Sequence, residues 1–355
     1  MGVLTALRVK KAADAMRPNG QGLAGSNNIS SPWSAGQLST IVWSDVFGTA
    51  GVIMNREEAM TIPAVAKARQ VLIATIAGRP LRAYKGAVLE KNQPEWLERT
   101  DGQVSPWHRM AWTIDDCLFY GWSLWLTARK DRNDDGSLGD IIDAQRCPFG
   151  RWSVNEDSQI VVDDVIAEEG EVLLIPGPFE GLLQVATRTL RGAARLETAW
   201  VARAQNPIPA LDLHRTDDSL EDDEVEDLIA DWIGARNDVN GIVGSTPPSV
   251  DARVLGQLEP KLFIEGRNFV KIDVGNFTGI PGSLLDGSLS TASLTYSTQE
   301  GTRNDFGDYT LPFWINPIEG RFSQDDIIGT GLRIRFDFAD LFTPTQSPTG
   351  PVTKD

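Results

Sequence analysis

Residues 276–300 read NFTGIPGSLLDGSLSTASLTYSTQE. They separate an apolar segment from a helix start, because Ser297 and Glu300 have the S-x-x-E spacing of a capping box. Between those points the chain is long, small and almost uncharged. Compact domains rarely keep a structureless connection of this length unless it has a task or is disordered. The rest of the chain has to separate those two readings.

The chain has 355 residues, enough for a sizeable core and more than one domain. Hydrophobic residues make up 41% and charged ones 23%, an ordinary globular balance and not that of a disordered chain. No run approaches the roughly 18 consecutive apolar residues of a membrane span. The opening MGVLTALRVKKAADAM places its basic residues after its short apolar part, the wrong order for a secretory signal. Lys and Arg number 33 against 49 Asp and Glu, a formal charge of −16. That balance argues against gripping nucleic acid, whose phosphates need a basic surface. It is compatible with a surface past which DNA slides without sticking. Cys117 and Cys147 are expected as buried thiols.

Residues 1–54 are rich in Gly, Ser, Asn and Pro and are expected as a loop or arm. Helical spacing then puts Val65, Ala68, Leu72 and Ile76 on one face, with Pro63 in the first turn and Gly78 and Pro80 closing the helix. A second helix starts at Ser105 as cap and Pro106 as first residue, and ends near Gly121. WSLWLTAR and DIIDAQR flank the turn KDRNDDGSLG, and RWSV, QIVV and EVLLIP read as further short strands. A third helix is expected over 191–205, stopped by NPIP. A fourth, over 219–234, sets an apolar stripe of Val225, Leu228, Ile229, Trp232 and Ile233 against an acidic face. Residues 258–275 suit another helix, weakened by Pro260 and Gly266, and GLRIRFDFADLF alternates like a half-buried strand. The Pro/Thr-rich tail from Thr343 is expected to be disordered.

Neither G-x-G-x-x-G nor G-x-x-x-x-G-K-[ST] occurs, so no nucleotide cradle is visible. His108 and His214 lie outside any H-E-x-x-H, and there is no G-x-S-x-G elbow. Asp131, Asn133, Asp135 and Gly136 open like an EF-hand loop, but Ile142 stands where a bidentate Glu is required and the flanks alternate like strands. A hairpin turn is the better reading. The run Glu221, Asp222, Asp223, Glu224, Glu226, Asp227 reads as a solvated helix face, or else as an interaction surface. No enzyme emerges, and no cofactor or metal is expected.

The order of the segments is informative. MTIPAVAKARQVLIATIAGRPLRAY, then LFYGWSLWLTARKDRNDDGSLGDIIDAQ, then EVLLIPGPFEGLL, then GIPGSLL, LTYSTQE and TLPFWINPIEGRFS resembles the portal proteins of tailed double-stranded DNA bacteriophages, over roughly 55–342. The last block is the strongest: F-x-G-I-P, a small-residue loop, TYS-x-Q-E, then TLPFWINPIE. The resemblance implies an α+β subunit with an α/β wing, a two-helix stem, a small α/β clip and a tunnel loop. It implies an arm over 1–54, wing over 55–190, stem helices over 191–206 and 256–277, clip over 207–255, tunnel loop over 278–296, and a wing return over 297–342 before the tail at 343–355.

By the same resemblance the protein is not an enzyme but a ring, usually dodecameric, at one capsid vertex. Double-stranded DNA passes through it without sequence specificity during packaging and ejection. Its implied partners are the terminase large subunit, a head–tail adaptor and the major capsid protein, with no membrane, and assembly takes place in the host cytoplasm. Gly282, Ser283, Leu284, Leu285, Asp286, Gly287, Ser288, Leu289, Ser290 and Thr291 would then face DNA from the tunnel loop. Asp222, Asp223 and Glu226 would form the partner face of the clip; Lys261, Arg267 and Lys271 are candidates for a basic ring in the stem, with a surface salt bridge the expected fate of any one of them. The opening loop thereby acquires a task, since small neutral side chains add little phosphate affinity. Other readings are a different head–tail structural protein sharing the wing, or an acidic enzyme of unrecognised site.

Overall fold

The computed structural model describes residues 54–134, 136–155, 157–205, 210–217, 220–236, 246–255, 260–285 and 305–338. The chain divides into two compact units, one of residues 192–270 and one of everything before and after. Helices and strands mix in each, an α+β chain as the resemblance implies.

The first unit is built around the strand that WSLWLTAR predicts. It begins with helices α1 (Arg56–Met60) and α2 (Pro63–Ile76), strands β1 (Leu81–Lys85) and β2 (Val88–Leu89), then α3 (Pro106–Tyr120) and β3 (Trp122–Arg129). Strands β4 (Ile141–Cys147), β5 (Trp152–Val154), β6 (Ile160–Val162), β7 (Val165–Ile166) and β8 (Val172–Pro176) follow, then the short α4 (Leu182–Val185) and α5 (Thr187–Gln205), which crosses into the second unit.

β3 is the middle of an antiparallel sheet ordered β4-β3-β8, and residues 122–127 are all buried. A strand covered on both faces reads as a continuous run, without the polar alternation of a half-exposed one. On one face Trp122, Leu124 and Leu126 pack with Cys147 and Leu174, and with Trp152 and Ile160 from the separate meander β5-β6-β7. On the other, the Trp125 indole N–H donates to Thr113 Oγ1 at 2.8 Å, so its polar edge is satisfied inside the core. Its ring lies 5.1 Å from that of Phe322 and 6.4 Å from that of Trp96.

Helix α2 buries Val65, Ala68, Leu72 and Ile76 as the spacing predicts. Helix α3 is capped by Ser105 and stopped by Gly121 at φ 79°, a left-handed conformation that favours glycine. Both thiols are free and buried, and burial raises them, Cys147 to about 11. The turn 130–139 joins β3 to β4 as a hairpin. β11 (Leu332–Phe336) returns to pair antiparallel with β1, Leu81 opposite Phe336, and buries Ile334 and Phe336.

Two adjacent carboxylates tie these layers. Asp115 accepts from Arg56 Nε at 2.7 Å and also from Arg69, pinning α1 and α2 to α3. Asp116 accepts from Arg146 Nε at 2.8 Å and Nη2 at 2.6 Å, and from Ser123 Oγ at 2.9 Å, pinning α3 to the sheet. The Asp116 side chain is 1% exposed, and burial raises its pKa while Arg146 opposes that rise.

The second unit holds the rest of α5, then β9 (Ala210–Arg215), α6 (Asp222–Arg236), β10 (Val250–Leu255) and the first part of α7 (Pro260–Thr278). β9 and β10 form a two-stranded antiparallel sheet with Leu213 opposite Ala252. The two weakening residues of α7 have specific places. Pro260 opens the helix, where a missing N–H costs nothing. Gly266 faces α5 so closely that an added Cβ would meet Leu196 Cδ2 at 2.9 Å.

Arg146→Met leaves Asp116 as a buried carboxylate without its cation, so the first unit should lose about 3–5 kcal/mol. Urea unfolding read by tryptophan fluorescence checks this. The double variant Asp116→Leu/Arg146→Met should recover most of the loss.

Candidate functional site

The segment that opened the question leaves and re-enters the first unit at one place. α7 ends at Thr278, and Gly279 follows at φ 69°. The Ile280 N–H reaches back to Gly275 O at 3.1 Å, the six-to-one bond of a Schellman cap, and Pro281 prevents continuation. Next comes a single helical turn, α8 (Gly282–Leu285), with the Leu284 N–H on Pro281 O at 2.9 Å. Ile280 and Leu285 are both buried. Gly275 allows this tight fold-back, since a Cβ there would meet Ile280 O at 2.8 Å.

The chain returns through a π-helical turn, Phe306–Thr310, into α9 (Leu311–Phe322). Pro312 has no N–H to offer the Asp308 carbonyl, which breaks the α-helical ladder at that point. The Leu311 N–H bonds Phe306 O instead, an i to i−5 contact. Trp314 is fully buried, and its indole N–H donates to Thr278 O at 2.8 Å. The Thr310 hydroxyl donates to Gly279 O. These two bonds fasten the departing chain to the returning one, and the edge of the Phe179 ring backs Trp314 at 5.7 Å. A cleft of about 350 Å³ lies beside the clamp, lined among others by Asn276, Pro281, Asp305 and Tyr309. Tyr309 is 74% exposed.

Of the residues expected to face DNA, Gly282, Ser283, Leu284 and Leu285 lie in α8. Their backbone is ordered helix, not open loop. Leu285 packs inward, its Cδ1 being 3.3 Å from a Cβ placed on Gly275. Asp286, Gly287, Ser288, Leu289, Ser290 and Thr291 lie outside the described residues, as do Ser297 and Glu300.

In the second unit Asp222, Asp223 and Glu226 are exposed on α6. Asp222 accepts from Arg215 Nη1 at 3.2 Å, and Asp223 Oδ1 accepts from the Glu224 N–H at 3.0 Å. The apolar stripe opposite is only partly covered: none of residues 222–234 is buried, Val225, Leu228 and Trp232 are half-buried, and Ile229 and Ile233 are 43% and 56% exposed. Arg267 is not a free cation. It pairs with Glu197 at 2.9 Å and stacks over Trp200 at 4.6 Å.

The EF-hand-like turn does not gather ligands. Asn133 Nδ2 donates to Ser137 Oγ at 2.9 Å, closing the turn on itself. Among the described residues no group of three or more His, Cys, Asp or Glu could hold a metal ion. His108 shares a 2.8 Å contact with its own capping residue, Ser105.

A family model described as phage portal protein matches residues 63–347, from the start of α2 to beyond β11. The chain belongs to the phage portal protein family. It is similar to the crystal structure of an HK97 family phage portal protein from Corynebacterium diphtheriae, at 27% identity and TM-score 0.64, over 82% of this chain and 98% of that one. It shares its fold with a chain of the neck of a native gene transfer agent particle computed with C12 symmetry, at 13% identity and TM-score 0.54, over 85% of this chain and 88% of that one. A chain of the native gene transfer agent virion matches at 14% identity and TM-score 0.53, over 81% and 86%. No curated protein matches the chain.

Within a portal subunit the clamp of Thr278, Gly279, Thr310 and Trp314 was the least legible part of the sequence. G-I-P after an apolar run is the pattern of a capped helix end, and it places the turn. Nothing in the pattern says that Trp314 would close over it.

Gly275→Ala should destabilise the protein by about 1–3 kcal/mol, because the new methyl meets a backbone carbonyl that has little room to retreat. Gly282→Ala meets nothing within 4 Å and should fall within about 0.5 kcal/mol of the parent. Thermal unfolding of the pair separates the two.

Proposed function

We propose that the chain forms the ring at one capsid vertex through which double-stranded DNA is packaged and ejected. Twelve copies is the count we favour, on the likeness to the C12-symmetric neck chain. The observation that carries the ring is the composition of the second unit's interior. Among its described residues only Ala193, Ser249 and Val250 are buried. A two-stranded sheet is marginal alone, and a helix with no buried side chain over residues 222–234 has little to hold it. Such a unit needs neighbours, and a ring supplies them.

On this reading α5 and α7 are the stem, the β9-α6-β10 segment is the clip, and the first unit is the wing. Residues 278–296 form the tunnel loop, and the clamp holds the end at which it leaves the wing. The formal charge of −16 keeps DNA from adhering, and the Gly, Ser, Thr and Leu side chains of 287–291 add no cation to the path. The acidic face of α6 is the docking surface for the terminase large subunit and later the head–tail adaptor. Contacts with the major capsid protein fall to the wing. Assembly takes place in the host cytoplasm, and no catalysis is assigned to the chain.

Mass photometry of the purified protein should show a species of about twelve times the subunit mass, and negative-stain images an open centre. A population that stays monomeric at every concentration, also in the presence of capsid protein, would count against the ring. Asp222→Lys, Asp223→Lys and Glu226→Lys together should abolish capture of the terminase large subunit and leave the ring mass unchanged. Unaltered capture by that triple variant removes the acidic face from the docking surface.

A further inference from the structure

Helix α5 presents two different exposed faces within the second unit. Gly192, Arg195, Ala199 and Ala202 follow one another at helical spacing, and all four are exposed. The space around Gly192 is open, with nothing within 4 Å of an added Cβ. Apart from its arginine this face is small and shallow. Glu197 and Val201 lie one turn apart roughly 160° around the helix, at about 100° per residue. Trp200 borders them. Val201 and Trp200 are 45% and 40% exposed, large apolar groups that a lone subunit leaves in water. Leu196, between the two faces, is the residue that meets Gly266 of α7. The partner helix leaves the first face open and reaches the second only through Arg267, which pairs with Glu197 and lies over Trp200, so that Val201 and the outer part of Trp200 stay uncovered.

The faces are complementary in shape and in charge. One is a groove carrying Arg195, which has no ion-pair or hydrogen-bond partner among the described residues. The other is a ridge carrying Glu197, whose carboxylate uses one contact with Arg267 at 2.9 Å and has lone pairs to spare. Self-complementary patches make twofold dimers. Two different patches that fit each other make head-to-tail contacts, which close into a ring when the rotation permits.

We propose that the Trp200–Val201 ridge of one copy seats on the Gly192–Ala199–Ala202 groove of the next, with Arg195 pairing across the joint to Glu197. The occupant of each groove is a second copy of this chain, and the proposal rests on the ring reading above. A neighbour related by rotation about an axis along the helix keeps its height. Arg195 and Glu197 then differ by two residues, about 3 Å along the axis, well within the reach of an arginine.

The test uses the full chain carrying Ala199→Cys and Val201→Cys. The two positions point to opposite sides of one helix, so they cannot bridge within a subunit. The native Cys117 and Cys147 are buried and stay out of the reaction. Mild oxidation should give a ladder of covalent dimers, trimers and higher species on non-reducing gels, whereas either single variant should give dimers at most. Arg195→Glu should reduce the ring fraction at least tenfold in mass photometry, and Arg195→Lys, which keeps the charge, should restore most of it. Ala199→Trp, filling the groove, should leave circular dichroism unchanged and abolish the ring. Rings that form normally in the double-cysteine variant without any ladder overturn the assignment of these faces while leaving the ring intact. A parent protein that forms no ring overturns the ring reading itself, and this contact with it.

Discussion

The uneven distribution of buried surface constrains everything else in the structure. The first unit encloses Trp125, Trp314, Phe119, Phe322 and a dozen aliphatic side chains at near-zero exposure, whereas the second buries an alanine, a serine and a valine among its described residues. Conformational entropy is lost in both on folding. Only in the first is there enough buried apolar area to offset it. The second unit must recover the difference from contacts outside itself, and its exposed Trp200, Val201, Ile229, Ile233, Ile264 and Phe269 are the groups through which it can. The unit is thus folded in form and incomplete in energy. That is the physical content of calling it an assembly module.

The clamp beneath residues 286–304 solves a related problem. A long connection can be tolerated on a rigid domain because loop closure costs grow only slowly with length, but its ends still need fixed anchors. Here the ends are fastened by the Trp314–Thr278 and Thr310–Gly279 bonds, with the Schellman turn on one side and the π-helical turn on the other. The clamp therefore fixes the chain on both sides of residues 286–304. Each half of the clamp also depends on a residue with special backbone properties, Gly279 at positive φ and Pro312 without an N–H.

Much of this was legible in the sequence, for identifiable reasons. Helices α2 and α3 carry strong periodicity with a proline at the start and a glycine at the end, so local signals and tertiary packing agree. WSLWLTAR was legible as a strand beside a turn, but not as the buried centre of the first unit, which depends on the helices and strands that cover it. The third helix begins at Thr187, four residues before its expected start at 191, and α7 runs on to Thr278 because Pro260 and Gly266 serve it instead of breaking it. The strand LRAYK was not foreseen, since its reason to exist is β11, some 250 residues away. The stripe on α6 was visible, but its incomplete cover was not, because periodicity reports which face wants burial and never how much of a partner is present. A salt bridge was the expected fate of a stem cation such as Arg267, but its partners Glu197 and Trp200 could not be named, because they lie in a distant part of the chain.

The charge distribution completes the picture. Where the protein needs carboxylates inside, it pairs them tightly: Asp115 with two arginines, Asp116 with one arginine and a serine. On α6 the six carboxylates Asp222, Asp223, Glu224, Glu226, Asp227 and Asp231 are exposed, and arginine contact with them among the described residues is a single 3.2 Å bond from Arg215. Exposed like charges on one helix repel and cost stability unless they oppose an external cationic surface or help to exclude an external anion. Both uses fit a subunit that meets protein partners and passes DNA.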